Sequence, residues 1–251
     1  HLNLSSFRNK VGLPGHHHEE EESGQEDHAD EFFTTSKSRQ LELPFQDVRH
    51  YKIALNSHIL LGRGHLRSVI AYQDNQRREL EESKNDPSLF FDLKTYSYDL
   101  KYHFPEKGGW EPVVGLSGSF QDNENKAEEA LIPDYNATDF GAFAYFKKDW
   151  ANTSINFGAR YDFKHIEGKQ MDQNGSGKFT DFTNDFSNVN GAAGFTHEFN
   201  SRLSMKVNVG SAFRAPNIAE LSSDGVHEGT FRYEIGNTEL KPEKSYYGDL
   251  S

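Results

Sequence analysis

A short stretch near the start of the chain concentrates side chains that bind metal ions. Residues 16–31 comprise four histidines, eight carboxylates and no cation, and the whole chain lacks cysteine. Imidazole and carboxylate together suit Zn²⁺, whereas Ca²⁺ and Mg²⁺ prefer oxygen ligands alone. The candidate metal ligands are His16, His17, His18, Glu19, Asp27, His28 and Asp30. The composition favours zinc and leaves Cu²⁺ and Ni²⁺ open, and a solvated acidic loop is the alternative interpretation.

One more histidine, His227, belongs to the candidate ligands. It follows Gly225 and Val226 in a long polar stretch towards the end of the chain. A neutral imidazole there can bind iron or zinc, or it can only form hydrogen bonds within its own loop. The residues leave both interpretations open.

Alternating segments must position these residues. Between residues 95 and 102, Tyr96, Tyr98, Leu100 and Tyr102 alternate with Thr95, Ser97, Asp99 and Lys101. Side chains of a strand point to opposite faces in turn, so this pattern predicts a strand with one apolar and one polar face. Strands are predicted near residues 1–10, 45–60, 65–80, 89–104, 110–122, 136–148, 151–166, 185–199, 203–213 and 243–251.

The length of these segments indicates a membrane. Strands of soluble proteins usually run about 5–6 residues, whereas a tilted transmembrane strand needs roughly 9–11. A closed barrel satisfies its own backbone in lipid, and its mean hydropathy stays low because lumen-facing residues are polar. The mean hydropathy of −0.82 is therefore compatible with an all-β, transmembrane, antiparallel up-and-down β-barrel.

The connections between the predicted strands alternate in length. Short turns alternate along the chain with longer polar loops. The turns lie at 61–64, 105–109, 148–149 and 200–202, and the loops lie at 11–44, 81–88, 123–135, 167–184 and 214–242. Bacterial outer-membrane barrels have short periplasmic turns and long extracellular loops. The histidine-rich and acidic loop at 11–44 is therefore expected outside the cell.

Composition excludes several classes of protein. With 251 residues, no cysteine and a net charge of −12, the chain is neither a disulfide-stapled module nor a typical nucleic-acid binder. Nothing in it indicates an enzyme or a required cofactor. The chain starts with His1 and ends at Ser251 within alternating segments, so we expect a barrel fragment truncated at both ends.

Two motifs late in the chain carry a family resemblance. Phe-Arg-Ala-Pro at 213–216 is followed by Asn-x-x-Leu-x-x-Glu-x-Ser at 237–245. This segment resembles the conserved barrel region of TonB-dependent outer-membrane receptors. The resemblance implies that residues 1–251 supply about ten strands of a barrel of roughly 22, whose plug domain is absent from this chain. It further implies active import across the Gram-negative outer membrane, contact with its lipid, and partnership with the TonB complex through the plug.

Two further stretches point to branches of that family. Gly-Leu-Pro-Gly-His at 12–16, combined with Gly-Val-His at 225–227, resembles the zinc-uptake (ZnuD-type) branch, which implies Zn²⁺ as the transported ligand. The position of His227 also resembles haem-uptake receptors, in which such a residue contacts haem. Import of haem or a ferric siderophore is therefore an alternative substrate, and a passive or adhesive barrel is an alternative function.

Overall fold

Ten long antiparallel strands form one sheet in the computed structural model. The structure describes residues 1–13, 41–173, 176–227 and 232–251, without the side chains of 173, 176 and 227. The sheet strands are β1 (Leu2–Gly12), β2 (Phe45–Leu61), β3 (Gly64–Leu80), β4 (Leu89–His103), β5 (Trp110–Asn125), β6 (Tyr135–Trp150), β7 (Thr153–Gly168), β10 (Phe182–Asn200), β11 (Leu203–Arg214) and β14 (Glu243–Leu250). The smaller elements are β8 (Met171–Gln173), β9 (Ser176–Phe179), α1 (Ile218–Ser222), β12 (Asp224–His227) and β13 (Arg232–Ile235). The ten predicted strands are confirmed.

Register gives the sheet two chemically different faces. Tyr96 of β4 lies opposite Tyr72 and Phe120, whereas the next residue, Ser97, lies opposite Ala71 and Ser119. Because paired residues point the same way, the alternation within each strand becomes two continuous faces. We call the face of Tyr96 the outer face and the face of Ser97 the inner face. Tyr96 is 54% exposed, which places an apolar ring where lipid lies in a barrel.

Short and long connections alternate as predicted. Pairs of residues join β2 to β3, β6 to β7 and β10 to β11, while the longest connection, 13–44, joins β1 to β2. The β2–β3 turn needs glycine because Gly62 has a φ of +62°, a conformation that other residues rarely adopt. The end of the sheet with long loops is therefore the extracellular end.

A small apolar core lies on the inner face near the extracellular end. Its fully buried members include Ile166 of β7 and Leu221 of α1, and the others are Tyr135, Ala137 and Phe186. Phe213 continues the alternating row of Val207 and Val209 along β11, yet it packs against this core. The pairing of β11 with β10 ends at Gly210, so the last residues of β11 follow only β14 and can turn inwards.

The sequence did not reveal the small elements. Hairpins β8–β9 and β12–β13 stand outside the main sheet, and α1 is a helix of five residues. Among the described residues, no helix is long and apolar enough to cross a membrane.

Candidate functional site at the extracellular mouth

The loop between β11 and β14 folds back onto the inner face of the barrel wall. Asn217 caps α1: its side-chain oxygen accepts from the Glu220 amide at 2.9 Å, and the Glu220 carboxylate accepts from the Asn217 amide at 2.9 Å. This reciprocal cap starts a helix too short to be stable alone. Leu221 then buries its side chain beside Ile166 of the wall, which anchors the loop.

Arg214 links three parts of this mouth. Its guanidinium donates to both Glu220 carboxylate oxygens at 2.9 Å and to both Glu243 oxygens at 3.0 Å. The pair with Glu243 is bidentate, since Nε and Nη2 each donate to one oxygen, which is the geometry in which arginine binds carboxylates most strongly. The single nitrogen Nη1 donates to both oxygens of Glu220. Hydrogen bonding to Arg214 lowers the pKa of Glu220 below its ordinary value. The Phe-Arg-Ala-Pro motif therefore joins the end of β11 to α1 and to the start of β14.

The β12–β13 hairpin extends the same folded loop. The Gly236 amide donates to the Ser223 carbonyl at 2.7 Å, and the Asp224 amide donates to the Leu131 carbonyl at 3.0 Å. A Cβ atom at Gly236 would overlap the backbone of Leu221 and Ser222, so only glycine allows this close approach. The predicted ligand His227 is the last residue of β12 and lies opposite Arg232. Its side chain is not among those that the structure describes.

A polar cleft opens on the inner wall next to this loop. It has a volume of about 520 Å³ and is bordered by residues of β5, β6, β7 and the end of β11. Arg160 donates to Asp162 at 2.6 Å and to Ser117 at 2.9 Å, while Lys164 lies 3.3 Å from Asp139. The first ion pair lies along β7, and the second joins β7 to the neighbouring β6. The cleft therefore offers a hydrated, charge-balanced surface rather than an apolar ligand pocket.

A group of three histidines lies on the inner face at the opposite, periplasmic end. The ring of His65 stacks on His103 with centroids 4.5 Å apart and meets the edge of His58 at 4.8 Å. The alternation along β2 and β4 places His58 and His103 on the inner face, and the β3–β4 register places His65 directly opposite His103. Within the described ranges, no group of three or more histidine, aspartate or glutamate side chains is arranged to hold a metal ion.

Most of the predicted metal ligands lie outside the described residues. These are His16, His17, His18, Glu19, Asp27, His28 and Asp30. The described base of their loop is closed by a hydrogen bond of 2.9 Å from the Leu13 amide to the Pro44 carbonyl. The ligands thus belong to a connection that starts and ends at the extracellular end of adjacent strands.

Comparison with known proteins identifies the family. The family model described as "TonB dependent receptor-like, beta-barrel" matches residues 21–251. The chain belongs to this family of TonB-dependent receptors. These receptors lie in the outer membrane of Gram-negative bacteria, and they are transporters rather than enzymes. No curated protein matches the chain.

Solved receptors share the fold of this TonB-dependent receptor barrel. A double mutant of the Serratia marcescens hemophore receptor HasR, in complex with its hemophore HasA and heme, has a TM-score of 0.64 at 15% identity. The copper transporter OprC has a TM-score of 0.62 at 13% identity, and the FrpB iron transporter from Neisseria meningitidis has a TM-score of 0.60 at 14% identity. Each match covers 82% of this chain but only 34–36% of the other protein. The chain therefore spans about a third of the length of these receptors, and identities this low concern the fold alone.

Proposed function

We propose that the protein imports zinc or another divalent metal across the outer membrane by TonB-dependent transport. The observation that carries the proposal is a ligand-rich stretch at residues 16–31 in an extracellular connection of a TonB-dependent receptor barrel. Twelve of these sixteen side chains are histidine, aspartate or glutamate. A dense run of ligands raises the local concentration of a metal ion at the mouth through several weak, exchangeable arrangements.

Transport in this proposal involves more of a receptor than the third of its length that this chain spans. In this proposal, metal binding outside the cell is relayed to a plug domain within the barrel, whose periplasmic segment engages the TonB complex. The inner-membrane proton gradient then drives passage. The paired charges of the inner wall suit this role, because Arg160 and Lys164 keep the lumen hydrated without holding a free charge against a cation.

Zinc titration of the intact receptor tests the proposal. We expect calorimetry to show zinc binding that weakens strongly when His16, His17, His18 and His28 are all replaced by alanine. His165→Ala is the matched control, because it removes an imidazole from the wall at a distance in sequence from the loop. Equal zinc binding by the quadruple variant and the control would remove the loop from the mechanism.

Haem import is the second candidate, and the position of His227 favours it. His227 ends the first strand of a hairpin at the mouth, and the HasR structure is described as a complex with heme. A haem titration followed by visible absorbance distinguishes the two candidates. Loss of haem binding in His227→Ala, with retention in the quadruple histidine variant, would favour haem over zinc.

A further inference from the structure

The outer face carries a group of basic side chains directly above the apolar belt. Register places Arg8 of β1 opposite Arg49 of β2, and Lys10 opposite Asp47, which in turn lies opposite Arg78 of β3. All five share the face of Tyr51 and Ile53, so they point away from the lumen. We call Arg8, Lys10, Arg49 and Arg78 the basic patch.

The height of the basic patch follows from strand geometry. On β2, Leu61 lies at the periplasmic turn and Tyr51 lies ten residues away towards the extracellular end. Ten residues span about 33 Å along the strand, and a tilt of about 40° leaves about 25 Å along the membrane normal, the height of the apolar band. Tyr72 and Tyr96, with ring centroids 4.9 Å apart, mark this upper boundary with an aromatic girdle. The basic patch therefore lies at the level of the outer-leaflet headgroups.

The basic patch has more positive charge than its neighbours neutralise. Asp47 has a side chain only 6% exposed, and it accepts from Arg8 at 3.0 Å and Arg49 at 3.3 Å, with Lys10 at 3.9 Å. One carboxylate is thus shared by three cations. On the same face, the described residues also include Asp74, opposite Tyr51, and Asp92 of β4, which lies 3.9 Å from Lys94. The four cations of the basic patch and Lys94 therefore exceed the three carboxylates by two, in a protein of net charge −12.

Arg78 completes the patch without an acidic partner. Its guanidinium lies 4.3 Å from the ring centre of Phe90 and donates to the Gln76 side chain at 3.2 Å. In the described part of the chain, no carboxylate lies within ion-pair distance of Arg78. The side chains of Arg8, Lys10 and Arg49 are 56%, 38% and 30% exposed. An anionic group from outside the barrel wall can therefore reach the surplus positive charge.

We propose that the basic patch binds the phosphate groups of a phosphorylated glycolipid in the outer leaflet. Guanidinium groups match phosphate geometry through paired hydrogen bonds, and Asp47 and Phe90 hold the arginines in place. The acyl chains of such a lipid would lie along the apolar outer face below, beside Ile53, Leu55 and Ile70. The proposal depends on family membership and on the outer face, not on the identity of the imported substrate.

The test measures lipid binding by the intact receptor in detergent with native mass spectrometry. The probe is diphosphorylated lipid A, compared with the same lipid after its phosphates have been removed. We expect the triple variant Arg8→Gln, Arg49→Gln, Arg78→Gln to lose about tenfold or more in affinity for the phosphorylated lipid. Removing the phosphates should produce a similar loss in the wild-type protein.

Arg77→Gln provides the matched control. Arg77 is the neighbour of Arg78 on β3 and lies at nearly the same height, but its side chain is on the inner face beside Glu79. Arg77→Gln removes one positive charge, as Arg78→Gln does, and should leave lipid binding unchanged. If the triple variant fails to insert, the single variant Arg78→Gln, which breaks no ion pair in the described structure, should still weaken binding.

Three results would overturn the proposal. The triple variant could keep wild-type affinity, or the lipid without phosphates could bind equally well. Lipid binding could also emerge only after residues 16–31 are deleted. That last result would mean that the acidic stretch of the same chain, rather than a lipid, neutralises the basic patch.

Discussion

Arg214 is the residue on which the shape of the extracellular mouth depends most directly. Its ion pairs with Glu220 and Glu243 join the loop 215–242 to both flanking strands. We expect Arg214→Gln to release the loop, so that limited proteolysis within 215–242 becomes several-fold faster while barrel insertion is kept. Arg202→Gln, in the short β10–β11 turn at the other end of the barrel, serves as control. Equal cleavage of both variants would contradict a structural role for Arg214.

Acid should loosen the same attachment through Glu220. Arg214 holds the pKa of Glu220 below its ordinary value of 4.5. A carboxylate with a depressed pKa stabilises the folded loop above the unfolded-state pKa, and this stabilisation is lost as the pH falls through the folded-state pKa. Protection of the α1 amides against hydrogen exchange, relative to the intrinsic exchange rate at each pH, should therefore be high at pH 7 and fall below about pH 4.5. Arg214→Gln should lower the protection at pH 7 and weaken its dependence on pH, and an unchanged profile would count against this ion pair.

At the scale of elements, the alternation of β4 decides which side chains meet lipid. Leu100 lies opposite Ser68 and Leu116 on the outer face, within the apolar belt. We expect Leu100→Arg to destabilise the barrel in lipid vesicles by about 2–4 kcal/mol, because arginine is costly near the bilayer midplane. Ser97→Arg on the inner face should cost much less in the same urea-unfolding measurement. Similar costs at the two positions would mean that the faces had been assigned incorrectly.

At the scale of the whole molecule, metal capture and barrel assembly should be separable. The loop 13–44 is closed at its base by the Leu13–Pro44 hydrogen bond, outside the apolar belt. The quadruple histidine-to-alanine variant should therefore insert normally, but cells that carry it should grow more slowly on scarce zinc. Normal growth of these cells on scarce zinc would exclude the loop from uptake.

The zinc affinity of the wild-type receptor should fall between about pH 7 and 5, since an imidazole of ordinary pKa near 6.5 must lose its proton to coordinate.

The sequence alone determined the strands, their faces and the alternation of short and long connections. Ten strands were predictable because each crosses the membrane once, and the requirement for one lipid face and one wet face repeats at every second residue. The family was likewise readable from the motifs at 213–216 and 237–245, where Arg214 and Glu243 prove to be ion-pair partners.

Only the tertiary structure decided which inner-face residues meet and how the mouth is folded. The return of α1 to Ile166, the inward turn of Phe213 and the stacking of His65 on His103 depend on contacts between segments far apart in the chain. Alternation assigns a side chain to a face but contains no information about register, which sets its neighbours on adjacent strands. The basic patch became visible for the same reason: Arg8, Arg49 and Arg78 are separated by a long loop and a turn, and only strand pairing brings them together.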